Sequence, residues 1–217
     1  MKNIATILGI LQESTTNMVP PMSTLIAQDY GRDPFLILIS CLLSLRARDP
    51  MTYKVSVELF KYATTPQQIL AMSLSELESI LRPLGFYKKK ARVLLEVSAF
   101  LIKHFNSTVP STEHELLSIP GVGIKTAHLV LGEAFGIPAL CVDTHVHRIS
   151  NRLGWVRTKT PEQTHEALRQ LIPKEYWIRL NHLLVMWGQN ICTPLSPRCS
   201  ICPLNSLCPK IGVTTSR

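Results

Sequence analysis

Two short stretches carry residue types able to do chemistry on a polyanion. The first reads Leu117-Ser118-Ile119-Pro120-Gly121-Val122-Gly123-Ile124-Lys125-Thr126-Ala127, and Asp143, within Val142-Asp143-Thr144-His145, comes eighteen residues past Lys125. A Pro-Gly-x-Gly turn between two apolar helical runs makes a short hairpin with exposed backbone amides. Gly121 and Gly123 can take positive φ there and let a ligand approach the main chain. The helix that follows offers unsatisfied N–H groups and the positive end of its dipole, which suit a phosphate. Lys125 falls in its first turn, where the same field disfavours the protonated amine. An amine that can lose its proton, a carboxylate at Asp143 and a phosphate cradle together read as covalent chemistry on a sugar–phosphate backbone. Asp143 would equally serve as the N-cap of a helix from Thr144 to Leu153.

The second stretch is the tail Cys192-x6-Cys199-x2-Cys202-x5-Cys208. Four thiolates with a two-residue inner spacing suit either a zinc ion or a [4Fe–4S] cluster, because both accept four sulfur ligands. Two of the six cysteines lie elsewhere. Cys41 sits inside an apolar run and Cys141 precedes Val142, so both read as small core hydrophobes.

The formal charge of +8 favours a polyanionic partner, and nucleic acid or an anionic membrane surface fits it equally. No apolar run is long enough to span a bilayer, and Ile4 to Leu11 lacks the flanks of a signal peptide. The chain therefore reads as cytoplasmic and nucleoid-associated in a prokaryote, or nuclear in a eukaryote, with no membrane partner. Its compact length and lack of tails suggest a monomer, and the absence of an N-terminal extension suggests a bacterial or archaeal source. Cysteines in such a compartment ligate metal or clusters rather than pair.

The elements that must position these residues are helical throughout. Asp49-Pro50 gives an N-cap with proline at the first helical position, opening a helix to about Tyr62. Ser73 and Glu76 form a capping box for Leu74 to Leu81. Leu94, Val97 and Leu101 place a helix over about Lys88 to Phe105, and Thr112 with Glu115 starts the first helix of the hairpin. Ala127, Val130, Leu131 and Ala134 stripe the second helix, which Gly136 stops. Thr160-Pro161 opens another, and Trp177, Leu180, Leu184 and Trp187 stripe one running towards Cys192. No alternating strand and no internal repeat is present, so the fold class is all-α.

Pro120-Gly121-Val122-Gly123 with Lys125, then Val142-Asp143-Thr144-His145, resembles the helix-hairpin-helix and Gly/Pro-Asp loop of DNA base-excision glycosylases. The cysteine spacing resembles the iron–sulfur loop of the endonuclease III branch. The likeness runs from about Asp33 to Cys208. It implies two helical domains with the active site in a cleft between them. One is a six-helix barrel domain, 27–137, holding the hairpin. The other is a discontinuous iron–sulfur domain made of 1–26 and 138–217. It also selects the [4Fe–4S] cluster over zinc, on Cys192, Cys199, Cys202 and Cys208.

The activity implied is that of a bifunctional DNA glycosylase and abasic-site lyase, acting on oxidised or ring-saturated pyrimidines in double-stranded DNA. Lys125 would be the nucleophile, its charge suppressed by the helix start and by a low-dielectric cleft. Asp143 would steady the cationic sugar and help move protons. Gly121, Val122 and Gly123 would bind phosphate through the backbone, His145 would position Asp143, and Arg198 would meet a phosphate. Arg46, where the family commonly has glutamine, would fill the space left by an extruded base. Phe86 would wedge between bases, unless it is simply a core aromatic, and Lys88, Lys89 and Lys90 would hold phosphates. A monofunctional mismatch glycosylase of the same superfamily would lack the lysine. A non-catalytic DNA-binding iron–sulfur protein would not need both Lys125 and Asp143.

Overall fold

The computed structural model describes residues 4–217; residues 1–3, which the expected segment 1–26 includes, lie outside it. The described residues form twelve α-helices, two short 3-10 turns and no strand. In chain order the helices are α1 (Ile4–Thr15), α2 (Met22–Asp29), α3 (Pro34–Ser44), α4 (Asp49–Phe60), α5 (Pro66–Ala71) and α6 (Leu74–Leu81). They continue with α7 (Tyr87–Phe105), α8 (Glu113–Ser118), α9 (Ile124–Phe135), α10 (Thr144–Arg152), α11 (Pro161–Leu171) and α12 (Trp177–Asn190). No helix among the described residues is long and apolar enough to cross a membrane.

The chain divides into two compact units, Met22–Ile137 and Met1–Pro21 with Pro138–Arg217. The first boundary thus falls before α2 rather than at 26/27, because α2 packs on α3, α4 and α9. Glu133 on α9 fixes that contact by accepting from Ser23 Oγ at 3.1 Å and Thr24 Oγ1 at 2.8 Å.

In the unit Met22–Ile137 the central helix is α3. Every residue from Phe35 to Leu43 is buried, so it is apolar on all sides, as a helix enclosed by others must be. Asp33 starts it by accepting from Phe35 N and Leu36 N, with Pro34 in the first turn. Helices α2, α4, α7 and α9 surround it, and Cys41 faces this core, where burial pushes its thiol up to about 12. Ser73 and Glu76 make the full reciprocal capping box on α6. Asp49 does not cap α4: Arg48 holds the N-cap position, and Asp49 lies in the first turn.

In the other unit, α1 and α10–α12 enclose a core that includes Leu8, Leu11, Ile149, Leu184 and Trp187. The cysteine loop follows α12, and Cys192, Cys202 and Cys208 pack against this core. Thr160 caps α11, and the Trp177-to-Trp187 stripe of α12 is buried.

Candidate active site

The hairpin is built from α8, the turn Ile119–Gly123 and α9. Thr112 caps α8 by accepting from Glu115 N at 3.3 Å. The buried imidazole of His128 on α9 meets Glu113 of α8 at 2.7 Å, clamping the two helices together. Within the turn, Val122 N donates to Ile119 O at 3.1 Å, and Gly121 takes φ +78°. Proline followed by a positive-φ glycine is the requirement of a type II turn. A Cβ on Gly121 would also come within 3.3 Å of Val93 Cγ1. Gly123, expected to share the positive φ, is instead extended, with φ −102° and ψ 175°, and starts α9 without a side-chain cap. The space where its Cβ would sit is open. Val122 is buried and spends its N–H inside the turn, so the surface of the hairpin is Gly121, Gly123 and Ile124.

Lys125 is the second residue of α9 and is exposed. The positive end of the α9 dipole lies beside its charge.

Two loops of the same unit converge beside the hairpin. Arg46 follows α3 and Phe86 precedes α7, and the Arg46 guanidinium lies 5.8 Å from the Phe86 ring centroid. Both residues have positive φ, 55° and 59°. Phe86 is 62% exposed, which rules out a core aromatic. With Lys89, Lys90 and Gly121 they line a cavity of about 500 Å³. The three consecutive lysines do not share one role. Lys88 and Lys89 are exposed, whereas Lys90 is buried and donates from Nζ to Leu45 O at 2.6 Å. It is not placed to hold a phosphate.

Asp143 belongs to the other unit, where it caps α10. Its Oδ1 accepts from His145 N at 2.9 Å and Val146 N at 2.8 Å. Capping and chemistry are therefore not alternatives, because Oδ2 takes no part in the cap. His145 is half-buried, with Nδ1 3.1 Å from Arg148 Nη2.

Cys192, Cys199, Cys202 and Cys208 line one small cavity, with Arg152, Arg198 and Lys210 also on its wall. Burial pushes the thiols of Cys202 and Cys208 up. Among the described residues no three acidic, histidine or cysteine side chains are gathered to hold a metal ion. A tetrahedral zinc would draw its sulfurs to about 3.8 Å of one another. A four-iron cluster holds each thiolate on a different iron and needs wider spacing. The four-thiol donor set on one cavity wall, with Arg152, Arg198 and Lys210 beside it, fits such a cluster. Arg198 is exposed and begins the 3-10 turn Cys199–Ile201.

Residues 39–174 match the HhH-GPD superfamily of base excision DNA repair proteins. Residues 192–208, from the first of the four cysteines to the last, match the iron-sulfur binding domain of endonuclease III. Endonuclease III of Thermotoga maritima is 47% identical over 81% of this chain and 83% of its own length. The chain belongs to the endonuclease III family. A solved non-covalent endonuclease III–DNA complex superposes with a TM-score of 0.85 at 36% identity, covering 95% of this chain and 94% of that one. A trapped endonuclease III–DNA covalent intermediate gives 0.83 at 36% identity, with the same coverage. This family member is a base-excision DNA glycosylase with abasic-site lyase activity, and it carries a [4Fe–4S] cluster.

The structure also supplies residues that sequence reading passed over. In this endonuclease III homologue, Arg148 donates to Cys192 O from Nε at 3.2 Å and from Nη2 at 2.8 Å. One turn later Arg152 reaches Cys192 Sγ at 3.3 Å, Thr193 O at 2.7 Å and Pro194 O at 2.8 Å. The helix capped by Asp143 thus grips the start of the cysteine loop. Their i, i+4 spacing was visible, but their partners lie forty or more residues away. Gly188 lets α12 come close enough: a Cβ there would fall on His145 Nδ1 and within 2.8 Å of Arg148 Nη2. Overpacking of this kind costs about 1–3 kcal/mol. Gly188→Ala is expected to lose that much in chemical denaturation although alanine is the better helix former, whereas Gly9→Ala, with no atom within 4 Å of its Cβ, should not.

Proposed function

We propose that this protein removes oxidised or ring-saturated pyrimidines from duplex DNA through Lys125 and then cuts the strand on the 3′ side. Lys125 Nζ, in its neutral form, attacks C1′ of the damaged nucleotide, and the C1′–N bond to the base breaks with its electron pair leaving on the base. The sugar ring opens to a Schiff base. That imine acidifies a C2′ proton, whose removal expels the 3′ phosphate oxygen by β-elimination. Asp143 Oδ2 supplies negative charge to the cationic sugar and exchanges protons during these steps.

The observation carrying this reading is the placement of Lys125 in the first turn of a helix that starts at an exposed, uncapped Gly123. There the dipole opposes the amine's positive charge, and neighbouring amides suit a phosphate. Arg46 and Phe86, exposed and adjacent, enter the space left by the extruded base. Arg198 contacts a phosphate. Cys192, Cys199, Cys202 and Cys208 hold the [4Fe–4S] cluster, whose metal–thiolate bonds staple the loop they span. The protein acts as a monomer in the compartment that holds its DNA.

The test is to incubate the protein with duplex DNA containing one oxidised thymine and add borohydride. A covalent protein–DNA adduct supports the mechanism. Base release without an adduct would replace it with monofunctional excision, and binding without release would leave only a DNA-binding protein.

A further inference from the structure

Arg46 and Phe86 both occupy the left-handed region, where a side chain other than glycine costs on the order of 1 kcal/mol. Strain of that kind persists only when surrounding bonds hold it. The bonds here converge on one residue. Lys90 uses its backbone N–H to bond Phe86 O at 3.0 Å. The residue is 8% exposed, and its ammonium donates to Leu45 O at 2.6 Å; Leu45 directly precedes Arg46. Leu45 ends α3, where a carbonyl has no further helical donor.

Burial lowers the pKa of the Lys90 ammonium, and among the described residues no carboxylate pairs with it. A buried cation bonded to one neutral carbonyl is costly. Methionine would fill the same space with less penalty, so packing alone does not account for lysine here.

We propose that Lys90 is a positioning residue, joining the loop of Arg46 to the loop of Phe86 so that both side chains are held ready to enter the base stack. This rests on the reading of Arg46 and Phe86 as the groups that fill the vacated space. Lys90 acts through them and needs no contact with DNA of its own.

The experiment compares Lys90→Met in the native background with Lys90→Met added to Arg46→Ala/Phe86→Ala. Each protein is assayed under single turnover on two substrates. One is a duplex carrying an oxidised thymine. The other is a single strand with a preformed abasic site, where no stack has to be entered. Loss of a charge-assisted hydrogen bond predicts a fall of about tenfold on the duplex. On the single strand the rate should stay within about twofold, and in the double-alanine background no further loss should appear, as residues acting through one another require.

A loss on both substrates, including outright failure to fold, would make Lys90 a general structural residue and overturn the proposal. So would a salt dependence of duplex binding that falls by about one ion, the mark of a direct phosphate contact. If Arg46→Ala/Phe86→Ala alone leaves duplex excision unchanged, the parent reading of the two loops fails instead.

Discussion

Lys125→Ala is expected to give no borohydride-trapped adduct and to excise oxidised thymine at least about a thousandfold more slowly, the scale of losing a nucleophile rather than a contact. A lysine that only touched phosphate would behave differently. Its removal would weaken binding about tenfold at low salt and reduce the salt slope by about one, with strand cleavage intact once DNA was saturating. The stability of the variant separates chemistry from damage to the fold. Lys125 is exposed at the second position of α9, where a cation opposes the dipole and alanine is a better helix former. Thermal unfolding of Lys125→Ala should therefore occur at the same temperature or slightly higher. A large activity loss combined with unchanged or improved stability is hard to produce except by deleting a reacting group.

The second large effect concerns Asp143, where the observed cap and the proposed catalytic charge fall on one carboxylate. Asparagine caps helices about as well as aspartate, and the amide oxygen can take over the bonds from His145 N and Val146 N. Asp143→Asn should keep stability within about 0.5 kcal/mol while lowering excision about a hundredfold or more, because the charge that steadies the cationic sugar is gone. Asp143→Ala should lose the same activity and in addition about 1 kcal/mol of stability. Denaturant melts and single-turnover rates on the two variants decide it. If Asp143→Asn retained near-native rates, the carboxylate would be a cap and nothing more.

Local signals carried well from sequence to structure. Ser73, Thr112 and Thr160 start helices where their side-chain chemistry requires, and Gly136 ends α9 in the left-handed conformation. The apolar run holding Cys41 forms the enclosed helix α3. Each is decided within a few residues, so a single sequence suffices. The departures involve partners distant in the chain or choices among near-equivalent conformations. Asp49 and Arg48 could each begin α4. Gly123 was free to take positive φ but opens α9 extended, because the turn needs only one such residue, at Gly121. Nothing in the run Lys88-Lys89-Lys90 marks the third member as buried, since that depends on a carbonyl forty-five residues earlier. The grip of Arg148 and Arg152 on Cys192 is equally a product of how α10 meets α12. The candidate groups could be proposed from the sequence; the distant contacts of Lys90, Arg148 and Arg152 could not be read there.

The left-handed backbone at Arg46 and Phe86 has a practical consequence for anyone engineering heat tolerance into this protein. Glycine or asparagine at either position would relieve the backbone, by roughly 1 kcal/mol each, and a screen for melting temperature alone would select it. The hits would be sturdier proteins with blunted tools, because each exchange discards a projecting side chain that we propose enters the base stack. Selection for durability and selection for repair should therefore diverge at these two positions first.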